Sequence, residues 1–366
     1  MIPGSDSRFK ALVRRLSSPH PKDRALCAIA LGILAAAGTF ASHQPDTDFP
    51  SDWDEIWAAG RALLSGRDPY EAMQEAYAAG QFKYPLIYPG TAVVVSLPFA
   101  LLPLPLGLAA WSGLGTGLLA WVLTGRGWWG LLGLCTVPFF FAYNLVQWSP
   151  LLTAAIAFPW LGFLWIAKPT IGIPLFLAWP SRQAVIWGTM LLLVSLLIMP
   201  HWPWSMAEGL HSASNVKPVI GRPGGFILLF ALLRWRRPEG RLLAMLSVVP
   251  QTTFFYEMVP LLLIPQTWRQ MISFVLLSLL AFLIPPYITP MQPRIGFAAV
   301  LTQLWPYWLI LIYLPALLMV LRHPNQSGSG AAGTLLVHLL ERAHDSRRSK
   351  PPLAEPDSSR SGAAEG

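Results

Sequence analysis

The sequence predicts an all-α fold, a polytopic bundle of about ten to twelve transmembrane helices. Of the 366 residues, 54% are hydrophobic and 12% are charged, whereas a typical soluble domain contains about 25% charged residues. The hydrophobic residues form a succession of apolar runs, and the basic residues gather at the chain ends and in a few loops. This pattern excludes a soluble enzyme, a disordered chain and a nucleic-acid-binding protein.

The distribution of charge predicts how the chain is organised. Residues 1–24 contain six basic residues and two acids, so the positive-inside rule places this end in the cytoplasm. We therefore predict a basic cytoplasmic N-terminus at 1–24, a transmembrane domain at 25–321 and a partly disordered cytoplasmic tail at 322–366. Two polar loops, 42–86 and 200–223, are predicted to face the extracytoplasmic side.

The transmembrane domain is predicted to begin with a helix at about 25–41. Several later runs are shorter than the roughly 20 residues of a full span, or contain Pro159, Pro174 or Pro250. Irregular backbone at membrane depth is tolerated only where it is buried or lines a cavity, so these runs predict a bundle that encloses a site. The later runs cover 87–103, 106–124, 127–143, 150–166, 169–180, 184–199, 224–233, 242–264, 270–289 and 297–321.

The first outer loop, 42–86, contains eight of the 18 acids in the chain. Within it, an apolar stripe at helical spacing predicts an amphipathic helix that lies along the outer membrane face and ends at Gly66. Asp68-Pro69-Tyr70 then turns the chain. The stripe consists of Trp53, Ile56, Trp57, Gly60, Leu63 and Leu64.

Asp52 is the first candidate catalytic residue. It lies where the chain leaves the membrane and meets the amphipathic helix, and a carboxylate held there can act as a general base towards a sugar hydroxyl. The alternative is structural, because Asp52-x-x-Glu55 also has the spacing of a helix capping box. The two interpretations are compatible.

Polar residues that interrupt the apolar runs form a second group of candidates. Tyr88 belongs to a proline-restrained entry to the next helix, a common structural role at the interface. The amides of Asn144 and Gln147 can bind a hydroxylated ligand or hydrogen-bond neighbouring helices.

Lys168 and Glu257 are the two charged residues within apolar surroundings. A lysine at membrane depth needs an anion or a watery cavity, which indicates a phosphate-bearing lipid, unless Lys168 snorkels to the interface. Glu257 is the only acid between Gly240 and Leu340. It is either a functional carboxylate or an acid neutralised by an internal Lys or Arg.

The second outer loop supplies two further bases, Lys217 and Arg222. With His201 and His211 and little acid nearby, these bases suit a phosphate or pyrophosphate group, although isolated loop charges are more often only solvated. The histidines lack the spacing of metal ligands, and no metal site is predicted.

Taken in order, these motifs resemble the bacterial integral membrane proteins of glycosyltransferase family 87, formerly domain-of-unknown-function family 2029. The resemblance runs from about residue 25 to 320. The first matching element is Asp52-Trp-x-x-x-Trp57-Ala-Ala-Gly60-Arg61-Ala-Leu-Leu-x-Gly66-x-Asp68-Pro69-Tyr70. The others are Tyr88-Pro89, Leu97-Pro98-Phe99-Ala-Leu-Leu-Pro103, Gln147-x-x-x-Leu-Leu, Lys168-Pro169, Pro250-Gln251, Tyr256-Glu257 and Pro260.

This resemblance implies a GT-C fold in the bacterial inner membrane, with the active site on the extracytoplasmic side. It implies inverting transfer of a mannose-like hexose from a polyprenyl-phosphate donor to a lipid or cell-envelope glycan, with Asp52 as the base. No cofactor is required, although a divalent cation is allowed. Lys168, Lys217 and Arg222 are the candidates for binding the donor phosphate. The candidates for binding acceptor or sugar are Asp54, Tyr88, Gln147, Tyr256 and Glu257.

The chain departs from the family pattern at four positions. Gly90 replaces the usual second proline after Tyr-Pro, Val146 replaces the glycine before Gln147, and Glu257 replaces a common Asp. Phe255 stands where some members have a histidine. The competing hypotheses are a lipid or glycan transporter or flippase without transferase activity, and a non-catalytic scaffold.

Overall fold

The computed structural model describes residues 19–44, 51–82, 85–211, 217–252, 254–285, 297–323 and 325. These residues belong to the first of two compact units, Met1–Asn325. The second unit, Gln326–Gly366, contains nearly all of the predicted tail and lies outside the described residues. So do most of the basic N-terminus and residues 45–50 of the first outer loop.

In the part of the chain that the structure describes, every regular element is helical, and an isolated β-bridge joins Lys217 to Gln251. The α-helices are α1 Pro21–Ser42, α2 Asp54–Leu64, α3 Pro69–Ala78, α4 Gly90–Ala100, α5 Leu104–Thr124, α6 Val137–Asn144, α7 Ser149–Ala154, α8 Pro169–Ala178, α9 Arg182–Ile198, α10 Trp202–His211, α11 Pro238–Val248, α12 Trp268–Leu283, α13 Phe297–Trp308 and α14 Leu314–Arg322. The 3₁₀ helices are Trp128–Cys135, Ala155–Ala157, Pro159–Ile166, Val219–Gly221, Gly225–Arg234 and Phe255–Leu263, and a π-helical turn, Leu309–Tyr313, joins α13 to α14.

Among the described residues, three helices are long and apolar enough to cross a membrane: Pro21–Ser42, Leu104–Thr124 and Val300–Arg322. A fourth span is available if α9 and the start of α10, which meet at 94°, count as one broken helix. These helices indicate a membrane protein, and the predicted all-α class is confirmed. The predicted total of about ten to twelve spans stays a prediction.

The prediction of short and broken helices is confirmed at Pro159 and Pro250, but Pro174 lies inside α8 and does not break it. A local cap explains one further break. The run 127–143 divides at Thr136, whose side chain accepts a hydrogen bond from the Phe139 N–H and so starts a new helix. The run 150–166 divides between α7 and the 3₁₀ helix that begins at Pro159. Because 3₁₀ runs longer than about four residues are uncommon, the eight residues of Pro159–Ile166 mark an irregular interior.

Glycines allow α1 and α5 to pack at close range. A Cβ atom added to Gly113 would lie 2.8 Å from the carbonyl oxygen of Gly32, and one added to Gly117 would lie 2.9 Å from that of Ala28. Small residues serve in this way where apolar helices meet in membranes, because they let the backbones approach. The two longest helices of the N-terminal half are therefore joined through backbone contact.

We expect Gly113→Ala to lower the free energy of unfolding by about 1–3 kcal/mol, because the new methyl group overpacks the α1–α5 contact. Gly188→Ala is the matched control, since its nearest neighbour would be Ile166 Cγ2 at 3.7 Å. That variant should be neutral, or up to about 1 kcal/mol more stable from helix propensity. Thermal melting of the purified variants compares them, and equal effects would contradict close packing at Gly113.

Four arginines donate hydrogen bonds to carbonyl groups near helix ends. Side chains near helix C-termini satisfy carbonyls that lack a partner within the helix. The contacts are Arg24 to Trp121 O at 2.7 Å, Arg126 to Pro265 O at 2.9 Å, Arg234 to Leu321 O at 2.9 Å and Arg241 to Ala178 O at 2.7 Å. These four arginines therefore stabilise helix ends.

Candidate functional site

The helix after Asp52 has Trp53 as its N-cap residue and no side-chain capping hydrogen bond. The Ser51 hydroxyl donates to Asp54 Oδ1 at 2.8 Å, and the Ser51 N–H donates to Asp54 Oδ2 at 3.3 Å. The Ser51 hydroxyl also accepts from the Trp53 N–H at 3.2 Å. The N-cap is Trp53 rather than Asp52, so the predicted capping box of Asp52 with Glu55 is wrong, and a reciprocal contact joins Ser51 and Asp54 before the helix.

The apolar stripe of α2 begins inside the protein. Trp53 and Ile56 are fully buried, and the Trp53 ring stacks on Trp111 with 3.7 Å between centroids and lies 4.9 Å from Trp148. Only the far end of the stripe is open, with Leu64 44% exposed. The helix ends as predicted, since Gly66 has a φ of +76°. The start of the stripe therefore anchors α2 on protein, and the position of the helix along the outer membrane face stays a prediction.

The segment before Gln147 has a strained backbone. Val146 adopts a φ of +49°, which is unusual for a β-branched residue. Surrounding hydrogen bonds hold it there: the Gln147 N–H donates to Ala142 O at 2.8 Å, and the Trp111 indole N–H donates to Gln147 O at 3.3 Å. The Asp52 N–H donates to Leu145 O at 3.1 Å, so the outer loop is tied to this turn.

Four of the predicted site residues form one connected polar cluster. The side-chain amide of Gln147 donates to Asp52 Oδ2 and accepts from the Lys168 ammonium at 3.0 Å. Lys168 Nζ also lies 3.5 Å from Glu257 Oε1. The chain of contacts is therefore Asp52–Gln147–Lys168–Glu257, and we call these four residues the polar cluster.

Tyr88 and Tyr256, two further predicted site residues, flank the polar cluster. The Lys168 ammonium lies 5.0 Å from the centre of the Tyr256 ring and 5.9 Å from that of Tyr88, within range of a cation–π interaction. The Tyr88 backbone is anchored by Tyr70, whose hydroxyl donates to Tyr88 O at 2.7 Å. Asp68 caps α3 by accepting from the N–H groups of Tyr70 and Glu71.

The polar cluster is open at one end and closed at the other. Asp52 and Tyr88 are half-buried, whereas Lys168 is 8% exposed and Glu257 is 2% exposed. Glu257 Oε2 is buried and has no hydrogen-bond partner among the described residues. A buried acceptor left unpaired is costly, so this oxygen can accept a hydrogen bond from a hydroxyl group that enters the cluster.

The other predicted site residues lie outside the polar cluster. The Asp54 carboxylate is engaged by Ser51, and the Lys217 side chain is exposed on the segment that pairs with Gln251. The Arg222 guanidinium lies 5.7 Å from the centre of the Trp305 ring. Within the described residues no carboxylate is within ion-pair distance of Arg222, and its Nε has no hydrogen-bond partner. The predicted roles of these three residues stay predictions.

Glu55 was missed as a site residue, because its burial cannot be read from the sequence. Burial, followed by repulsion from the Asp52 and Asp54 carboxylates, raises the pKa of Glu55 to about 8. The side chain therefore exchanges a proton close to neutral pH, one helical turn after Asp52. This property makes Glu55 a candidate for proton transfer at the open end of the cluster.

The raised pKa of Glu55 predicts a pH-dependent stability. Between the ordinary glutamate pKa and about 8 the folded chain binds the extra proton, so stability should fall as the pH rises through this range. We expect the melting temperature of Glu55→Gln to fall less than that of the wild type between about pH 5 and pH 8. Parallel melting curves for the two proteins over this range would contradict the assignment.

Comparison with protein families, with curated proteins and with solved structures gives no match to this chain.

Two of the departures from the glycosyltransferase pattern have a local explanation. A Cβ atom at Gly90 would lie 2.6 Å from Trp202 Cγ, so the packing of Trp202 excludes a proline there. Phe255 stacks on Phe141, with centroids 5.3 Å apart and planes 5° apart. An apolar stack therefore occupies the position where some family members have a histidine.

The described residues contain no group of three or more His, Cys, Asp or Glu side chains arranged to hold a metal ion. Asp52 and Glu257 are separated by Gln147 and Lys168 in the polar cluster. The allowance for a divalent cation stays a prediction.

Proposed function

We propose that this protein is a membrane glycosyltransferase of the GT-C type, which transfers a hexose from a polyprenyl-phosphate donor to a lipid or cell-envelope glycan. The observation that supports it best is the convergence of Asp52, Gln147, Lys168 and Glu257 into one cluster. These residues come from four separate segments, and the cluster has a half-buried carboxylate at its open end. The full polytopic bundle of about ten to twelve spans belongs to the same proposal.

The proposed reaction is an inverting displacement. The hydroxyl oxygen of the acceptor attacks the anomeric carbon, and the bond from that carbon to the phosphate oxygen breaks. The phosphate leaves with the bonding electron pair, and the proton of the hydroxyl passes to the Asp52 carboxylate. Because a lipid phosphate is a good leaving group, the departing charge needs cationic stabilisation rather than a proton donor.

The contacts of the three basic residues indicate that they have different roles. Lys168 already neutralises Glu257, so its charge is only partly available to a phosphate. Arg222 has no carboxylate partner among the described residues, and Lys217 is exposed. We therefore assign most of the phosphate binding to Arg222 and Lys217, and hydroxyl recognition to Gln147, Glu257 and the flanking tyrosines.

We further propose that the acidic loop faces outward across the inner membrane of a bacterium, with the N-terminus in the cytoplasm. Along α5, Trp111 lies beside Trp53, whereas Trp121 lies beside Arg24. The positive-inside rule assigns the Arg24 end to the cytoplasm. Asp52 then belongs to the opposite half of the membrane, where a lipid-linked donor presents its sugar.

A lipid or glycan transporter is the second candidate, and the ion pair of Lys168 with Glu257 favours it. Buried ionisable pairs within apolar segments are common on the pathways of transporters. A transporter must also expose the cluster to each side of the membrane in turn. A transferase needs access to the cluster from one side only.

A two-part assay on purified protein in liposomes separates these candidates. The first part follows transfer from a panel of radiolabelled polyprenyl-phosphate sugars into acceptor lipids from a native extract. The second part follows movement of the same labelled lipids between leaflets without acceptor. Transfer to an acceptor supports the glycosyltransferase and names the sugar. Leaflet exchange without transfer supports the transporter, and the absence of both favours a scaffold and contradicts both proposals.

A further inference from the structure

The side chain of Gln147 lies between a cation and an anion, and this arrangement fixes its orientation. A carboxamide has one acceptor oxygen and one donor nitrogen. The ammonium of Lys168 can only donate and an ionised carboxylate can only accept, so a single orientation of the Gln147 amide satisfies both neighbours. That orientation is the one observed, with Oε1 towards Lys168 and Nε2 towards Asp52.

The main chain of Gln147 is held as firmly as its side chain. Its N–H and C=O both make hydrogen bonds, to Ala142 O at 2.8 Å and from the Trp111 indole at 3.3 Å. The preceding Val146 is 1% exposed and keeps its positive φ. Backbone strain of this kind persists only where the surroundings impose it, and it is concentrated at functional sites.

The far end of the polar cluster holds Lys168 in place. Lys168 is 8% exposed, and its ammonium lies 3.5 Å from Glu257 Oε1 and faces the ring of Tyr256. In such a poorly hydrated site the field of the ammonium acts over a longer range than in water. The ammonium also polarises the Gln147 amide, and a polarised amide is a stronger donor to Asp52.

We infer that Gln147, oriented by Lys168, is a positioning residue that holds Asp52 as an ionised carboxylate and fixes one of its two oxygens. The meaning of this role for catalysis depends on the proposed function of Asp52 as the base. A base must be deprotonated before the acceptor arrives, and several neighbours oppose this. The carboxylates of Glu55 and Glu257 repel the Asp52 charge, Asp54 lies two residues away, and Asp52 is half-buried near Tyr88 and Tyr256.

The test measures the protonation of Asp52 directly, without any substrate. The protein is labelled with ¹³C at the aspartate side-chain carboxyl and placed in lipid nanodiscs, and its infrared carboxyl band is titrated with pH. Subtracting the spectrum of the same protein with Asp52→Asn isolates the one group. Gln147→Leu removes the donor, and we expect it to raise the pKa of Asp52 by about 1–2.

A second variant should move the titration in the opposite direction. Glu257→Gln removes a like charge and leaves the Lys168 ammonium without its partner, so we expect the pKa of Asp52 to fall. Asn144→Leu is the control, because the Asn144 amide donates to Phe140 O within its own helix and should leave Asp52 unchanged. A packing defect that admits water would lower the pKa of Asp52, so a rise in Gln147→Leu excludes that explanation. Gln147→Glu, which keeps the length of the side chain but adds a negative charge, should raise the pKa of Asp52 and replaces Gln147→Leu if that variant does not fold.

The outcome separates this inference from the proposed function. An unchanged Asp52 titration in the Gln147 variants, or equal shifts in Asn144→Leu, would overturn the positioning role even in a protein that transfers sugar. Shifts of the expected signs in a protein that transfers nothing would establish the coupling and remove only the proposed reaction. Where transfer is measurable, the acidic limb of its pH–rate profile should shift with the pKa of Asp52.

Discussion

Asp52→Asn should reduce the rate of sugar transfer by about 10²–10⁴-fold, the usual contribution of a positioned general base. The Asn side chain keeps the shape of Asp52 and can still reach the Gln147 amide, but it cannot take a proton from the acceptor. The loss should fall on kcat more than on KM, because the proton moves only during the reaction. Initial rates of labelled transfer in liposomes, with the active donor, give both constants.

Asp68→Asn is the matched control for this prediction. It makes the same chemical change in the same loop, and Asp68 caps α3 through its side-chain oxygen, a role that Asn fills equally well. We expect its transfer rate to stay within about a factor of two of the wild type, and its melting temperature within a few degrees. This is roughly the effect of a neutral surface change. Transfer by Asp52→Asn at the rate of Asp68→Asn would show that Asp52 is not the base.

The residue types of the polar cluster were predictable from the sequence, whereas their pairing was not. Lys168 and Glu257 each stand alone within apolar runs, and the cost of a charge there requires a partner. Nothing local identifies that partner, because the two residues come from different helical segments. The structure joins them at 3.5 Å, so Glu257 has an internal partner, and its functional role stays a prediction that its second, unpaired oxygen supports.

Helix ends were predictable where one residue type decides them. Gly66 ends α2 because its φ of +76° is easy only for glycine. The start of α2 was not predictable in this way, because its N-cap is Trp53, which makes no side-chain capping hydrogen bond. Asp52 is hydrogen-bonded to Gln147 and Leu145, and Ser51 pairs with Asp54.

Apolar runs predicted the helical class but not the length of each helix. Hydrophobicity alone does not distinguish a continuous span from two short helices with a turn between them. The breaks depend on small features inside the runs, such as the Thr136 cap and the positive φ of Val146. A valine at positive φ has no local signal at all, since its sequence preference opposes that conformation.

Lys168→Met should destabilise the fold by about 3–5 kcal/mol, the cost of removing one partner from a buried ion pair. The substitution would leave the Glu257 carboxylate 2% exposed and without a counter-charge. It would also leave Gln147 Oε1 without its donor. Thermal or denaturant melting in detergent measures the loss, and the transfer assay is not needed.

A double variant distinguishes the unpaired charge from a simple packing defect. Combining Lys168→Met with Glu257→Gln removes both charges, so most of the lost stability should return. The exposed ion pair of Arg67 with Glu75 is the matched comparison, because its side chains are 57% and 70% exposed. Glu75→Gln should therefore cost less than about 1 kcal/mol. If the double variant were as unstable as Lys168→Met alone, the lysine would matter for its packing, and the ion pair would not explain why a charge is kept at this depth.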